Sequence, residues 1–127
     1  MFHYLGHIEE ETLQNSNFRT VLFTTQHLQL VLMCLKPNEE IGEEVHSTTD
    51  QFFRVEAGEG LLVLNGKEHK VKDGDAMVVV AGTEHNLINT SSTQELKLYT
   101  IYAPAHHVGG TVHATKAAAE ADTKDHL

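Results

Sequence analysis

Tryptophan is absent from the 127-residue chain, proline occurs twice and cysteine once. The single thiol, Cys34, has no partner for an internal disulfide. Its place in the apolar run LVLMCL marks it as a small buried hydrophobe, not a nucleophile. Long apolar stretches are also missing: nothing approaches the roughly 18 residues of a membrane span. The amino-terminal MFHYLGHIEEE has no basic region before an apolar run, so no secretory leader is expected and a cytoplasmic location follows by default. Positive charge is scarce too, with nine Lys and Arg against 18 Asp and Glu and a formal charge of −9. Such a field repels polyanions, so neither nucleic acid nor an anionic membrane is an expected partner. Small anionic substrates stay open, because a bound dication reverses the potential inside a pocket.

What is present suits one soluble globular unit. Hydrophobic residues make up 40% and charged residues 21%, and the length fits a single domain over 1–127, with a core at about 18–104 and a tail over 105–127. Apolar alternation and turn signals predict short strands at 18–24, 28–35, 43–46, 51–56, 61–64, 67–71, 76–80, 85–89 and 96–102. Asn65-Gly66 is a type I′ hairpin signal, Asp73-Gly74 and Ala81-Gly82 mark further turns, and Pro104 ends the last strand. Helical periodicity is almost lacking before residue 110. The Ala-rich end, TKAAAEADTKDHL, predicts a short surface helix capped by Thr115 with a frayed end. The class is therefore all-β, a sandwich or barrel.

The stretch GEEVHSTTDQFFRVEAG, residues 42–58, carries the chemistry. Glu44 and His46 are two apart and share a strand face, while Gln51, Phe53 and Val55 share one face of the next strand. A carboxylate, an imidazole and a carboxamide oxygen are costly to bury in an apolar space without a partner, and a divalent cation suits all three. His85 is the candidate for a fourth ligand.

These residues resemble the two motifs of the cupin superfamily, G-x5-H-x-H-x(3 or 4)-E-x6-G and G-x5-P-x-G-x2-H-x3-N. The first falls on Asn38, Glu44, His46, Gln51 and Gly58, and the second on Gly74, Val80, Gly82, His85 and Asn89, with the 15 residues 59–73 between them. The spacing is complete. The chemistry departs at Asn38 for Gly, Glu44 for His, Gln51 for Glu and Val80 for Pro. The resemblance implies a double-stranded β-helix, or jelly-roll barrel, with a short carboxy-terminal helix. It implies a divalent metal held by Glu44, His46, Gln51 and His85, with Gln51 either a direct ligand or the holder of a metal-bound water or substrate, and a homodimer formed through amino-terminal strands and outer barrel faces. Iron or manganese is favoured, with nickel or zinc also compatible with this N/O donor set; the absence of thiolates argues against structural zinc.

Three function classes follow. The first is a metal-dependent isomerase, epimerase or lyase acting on a small oxygenated molecule such as a sugar or carboxylic acid. The second is an iron(II)-dependent dioxygenase, and the third a small-ligand-binding cupin without turnover. Thr100 and Tyr102 face inward and are pocket candidates, while Arg54 and Glu56 face outward. Asn89 supports a turn or orients His85. His3, His7, His27, His106, His107, His113 and His126 are read as solvated imidazoles. No Lys or Arg is placed in the cavity by the motifs, which weakens a sugar-phosphate reading.

Overall fold

The structure, a computed structural model, describes residues 3–125. Helix α1 (Ile8–Gln14) precedes strands β1 (Arg19–Thr24), β2 (Gln29–Leu35), β3 (Asp50–Ala57), β4 (Glu59–Leu64), β5 (Lys67–Lys72), β6 (Ala76–Val79), β7 (His85–Asn89), β8 (Leu96–Ala103) and β9 (Val112–His113), and helix α2 (Lys116–Ala121) follows. The strands form a six-stranded sheet in the order β6-β3-β8-β2-β1-β9 and a three-stranded sheet in the order β5-β4-β7. Every ladder is antiparallel. The result is the all-β jelly roll that the strand pattern and the motifs anticipate.

Alternation decides which side chains make the core. Phe53 and Val55 of β3 and Leu96 and Leu98 of β8 point inward and meet Leu62 and Leu87 of the small sheet, all of them buried. Gln51 and Tyr102 face each other across the β3–β8 ladder at its far end, so the same inward row runs from apolar core into a polar site. Strand β2 is buried on both faces, which is why its alternation blurs at Met33 and Cys34. Helix α1 supplies the second cover, packing over β2, β3 and β8 with Thr12 fully buried. That helix is absent from the sequence expectation. Seven residues give no measurable periodicity, and His7 at the N-cap makes no side-chain cap; the signal that remains is Glu9, Glu10 and Glu11 in the first turn, favourable to the helix dipole.

Two expectations need correcting. Residues 43–46 do not form a strand: Glu44 makes one antiparallel bridge with His85, through bonds of 2.8 Å from Glu44 N to His85 O and 2.9 Å from His85 N to Glu44 O. Helix α2 is the short surface helix expected, with no buried residue, but the chain around it is tied down over its described part and not frayed. Thr115 caps α2 as expected, its Oγ1 accepting from Ala118 N at 3.1 Å, but Ala119 packs on the core, β9 pairs with β1 and Asp125 is buried.

Candidate metal centre

Two loops and two strands converge. Glu44 and His46 lie on the loop before β3, Gln51 on β3, and His85 opens β7. The Glu44–His85 bridge and a 2.8 Å bond from Gly82 N to His46 O tie the loops together by main chain, so the side chains do not depend on their own packing for position. One donor atom each from Glu44, His46 and His85 lies within 4.8 Å of the others. His46, Gln51 and His85 are buried.

The hydrogen bonds around His85 and Gln51 fix where their lone pairs go. His85 Nδ1 is 2.8 Å from the Thr83 carbonyl, which only accepts, so Nδ1 carries the proton and Nε2 is bare in the neutral ring. Gln51 Nε2 donates to Thr100 Oγ1 at 2.9 Å, and that hydroxyl commits its own hydrogen to Phe52 O at 2.8 Å. The amide oxygen of Gln51 is thereby turned to His85, and Oε1 faces Nε2 at 3.1 Å. Two lone-pair atoms at this distance call for a cation, either a second proton or a metal ion. His46 Nε2 is buried and without a hydrogen-bond partner, although Glu44 Oε2 lies 3.0 Å away; the pair is close without the alignment of a hydrogen bond. Burial pushes the Glu44 carboxyl up, but His46, Arg19 and His106 outweigh it and hold it below the usual carboxylate range. The donor set thus fits a dication: two imidazole nitrogens, one ionised carboxylate and one amide oxygen.

The surroundings depart from expectation. His106, His107 and His113 are not solvated. The His106 ring is 4.1 Å from that of His46 and stacks on Tyr102 at 5.5 Å. His107 is held by Asp125 at 2.7 Å and lies 3.3 Å from the Tyr102 hydroxyl, while His113 is held by Asp122 at 2.9 Å. His3, His7 and His27 are exposed, as expected, and His126 lies outside the described residues. Beside the metal centre, and sharing Glu44 with it but not His46, Gln51 or His85, lies a space of about 220 Å³ lined by Arg19 and Lys116 together with His106 and His107. The adjacent His106-His107 pair just after Pro104 was the available sequence signal for these residues; no periodicity announces Arg19.

Thr100 and Tyr102 are inward and buried, Thr100 serving Gln51. Burial, then the Glu44 charge, push the Tyr102 phenol above its ordinary range. Asn89 braces the loop ends instead of His85, its amide donating to Leu35 O, Lys36 O and Gln94 O. Arg54 and Glu56 pair with each other at 3.0 Å, the Arg54 side chain 39% accessible but the Glu56 side chain covered and not at the surface as expected.

Comparison with known proteins agrees with this architecture. The chain is 48% identical over 124 residues to the uncharacterized protein YrkC of Bacillus subtilis, covering 93% of this chain and 66% of the relative. It is 46% identical over 113 residues to the uncharacterized protein L612 of Acanthamoeba polyphaga mimivirus, covering 86% and 70%. The chain therefore spans about two thirds of the length of these curated relatives. The crystal structure of BH2720 from Bacillus halodurans superposes with a TM-score of 0.91 at 45% identity over 94% of both chains. Residues 31–102, which hold all four converging side chains, match the family model described as the cupin domain, and the chain belongs to that family.

Proposed function

We propose that Glu44, His46, Gln51 and His85 hold one divalent cation, manganese(II) or iron(II) before nickel(II) or zinc(II), in an enzyme of isomerase, epimerase or lyase type acting on a small oxygenated molecule. The observation that supports this most is the face-to-face approach of His85 Nε2 and Gln51 Oε1 at 3.1 Å beside an orphaned His46 Nε2. When bound, the ion would supply Lewis acidity toward a carbonyl or hydroxyl oxygen of the substrate. The chain's own groups set the proton inventory around it. Tyr102 stays protonated and can donate a hydrogen bond. Burial, followed by the nearby His46, holds the half-buried His106 below the ordinary histidine range, so it is neutral at pH 7 and fit to accept a proton.

A second reading, an iron(II) dioxygenase, keeps support from the composition of two histidines and one carboxylate. Elemental analysis of the purified protein, then turnover screening of the iron, manganese and zinc forms with and without oxygen, separates the two. Anaerobic turnover supports the first reading; oxygen consumption coupled to substrate loss replaces it with the second. The same reading takes the protein as a cytoplasmic homodimer. The exposed Val78 and Val80, 67% and 64% accessible at the β6 edge, support association, and a monomeric mass by light scattering at high micromolar concentration would contradict it.

A further inference from the structure

We propose that Arg19 anchors the carboxylate of a small organic acid whose oxygenated end reaches the Glu44, His46, Gln51 and His85 centre. This deepens the function proposed above, on which the second half of that sentence rests.

Arg19 is only 6% exposed, yet it makes no ion pair with any carboxylate among the described residues. Its Nε is buried with no hydrogen-bond partner. The guanidinium lies 5.2 Å over the Phe18 ring, and its Nη1 is 3.4 Å from His113 Nδ1. His113 donates from Nε2 to Asp122, so Nδ1 is the accepting nitrogen and Arg19 is steadied from behind by a neutral ring. The acids nearby are already engaged: Asp122 by His113, and Asp125 by His107 and by Val108 N at 2.7 Å. For the same reason His113, Asp122 and Asp125, although close enough to one another to suggest a second cation site, are better read as the frame that holds Arg19, whose charge would repel a metal there.

A buried cation with no carboxylate in direct contact is costly even with Glu44 and Asp125 near enough to feel its charge, and the chain retains it on the wall of a cavity that Glu44 also lines. A ligand can supply the missing contact. The guanidinium fork matches a carboxylate in two parallel hydrogen bonds. About 220 Å³ is the share of roughly seven waters of liquid and falls below the ~300 Å³ at which ordinary ligand pockets begin, which limits the ligand to a few carbon atoms. Charge selects further: Glu44, Glu120, Asp122 and Asp125 line the same space against Arg19 and Lys116, the latter 3.8 Å from Glu120, so the net negative lining tolerates one carboxylate on the guanidinium better than a phosphate dianion.

Calorimetric titration of pyruvate, lactate and malonate into the full chain, chelator-treated and manganese-loaded, tests this, with inorganic phosphate as the comparison anion. At least one carboxylate should bind both forms, more tightly than phosphate. Arg19→Gln should lower that affinity at least tenfold in both, with manganese affinity changed less than threefold and the far-ultraviolet circular dichroism retained. Arg19→Lys, which keeps the charge and loses the fork, should fall between and serves where the Gln variant does not fold. Binding of no carboxylate by the wild type, preference for phosphate, or undiminished carboxylate affinity in either folded Arg19 variant would overturn the proposal. Arg19-dependent binding in a chain that takes up no manganese would leave the anchor standing and remove the metal reading; carboxylate binding that needs manganese but ignores Arg19 would do the reverse.

Discussion

Gln51 shows how one residue's role depends on its neighbours. A carboxamide can present either end to a metal, and Thr100 decides which by accepting from the amide nitrogen while its own hydrogen is committed to Phe52 O. Thr100→Val should therefore weaken manganese binding about tenfold without touching the site, the usual scale for loss of a group that orients a ligand. Glu44 carries the only carboxylate of the set, where cupins more often have histidine, and Gln51 stands where they more often have glutamate. Glu44→Gln should cost more manganese affinity than Gln51→Ala, because it removes a charge and not a neutral donor. Equal or reversed losses in parallel titrations would place Glu44 outside the ligand set. Motif spacing anticipated that Glu44, His46 and His85 come together, but Glu44 and His46 do so from a loop tied by one bridge to His85 and not from the strand face their two-residue spacing suggested. Arg19 was not legible in the sequence: it meets Glu44 on one cavity wall through contacts distant in sequence, and nothing local records them.

Among the elements, strands whose one face meets the core and whose other face meets solvent were readable from alternation, as in β3 and β8. Those that failed had another determinant. The 43–46 segment has strand-like spacing but finds one bridge partner instead of a ladder, and α1 is too short to carry a period. Close approach between elements gives a sharp test at Gly60 of β4, where a Cβ would lie 2.3 Å from the Ile88 carbonyl oxygen. Gly60→Ala should lower stability by about 1–3 kcal/mol, read as a reduced urea midpoint.

The docked tail gives a pH test. Burial first, then Arg19, push the His107 imidazole down to about 4 from its ordinary 6.5, against the opposing pull of Asp125. Asp125, raised by burial, is drawn down further by Val108 N–H, His107 and Arg19 and stays ionised over that range. Between pH 6.5 and 4 the unfolded chain takes up a proton at His107 that the folded chain refuses, so stability falls as pH falls through that window. The groups facing His107 are Asp125, Tyr102, His106 and Arg19. Urea unfolding should lose on the order of 2 kcal/mol across the window in the wild type, with a visibly flatter dependence in His107→Gln. An identical slope in both proteins would mean that His107 titrates normally.

For the whole molecule, the jelly roll brings inward faces of several strands and two tied loops to one end of a packed core, and the tail closes over it. None of the helices among the described residues is long and apolar enough to cross a membrane. Fold leaves the reaction open, because sites, not scaffolds, carry chemistry; the site's claim is that its buried donors are arranged for a cation. Manganese(II) titration followed by the electron paramagnetic resonance of the free ion addresses that claim directly. The wild type should bind one ion per chain, and the His46→Ala/His85→Ala variant, still folded by circular dichroism, should lose at least a hundredfold in affinity. Full occupancy with undiminished affinity in the folded double variant would contradict the assignment.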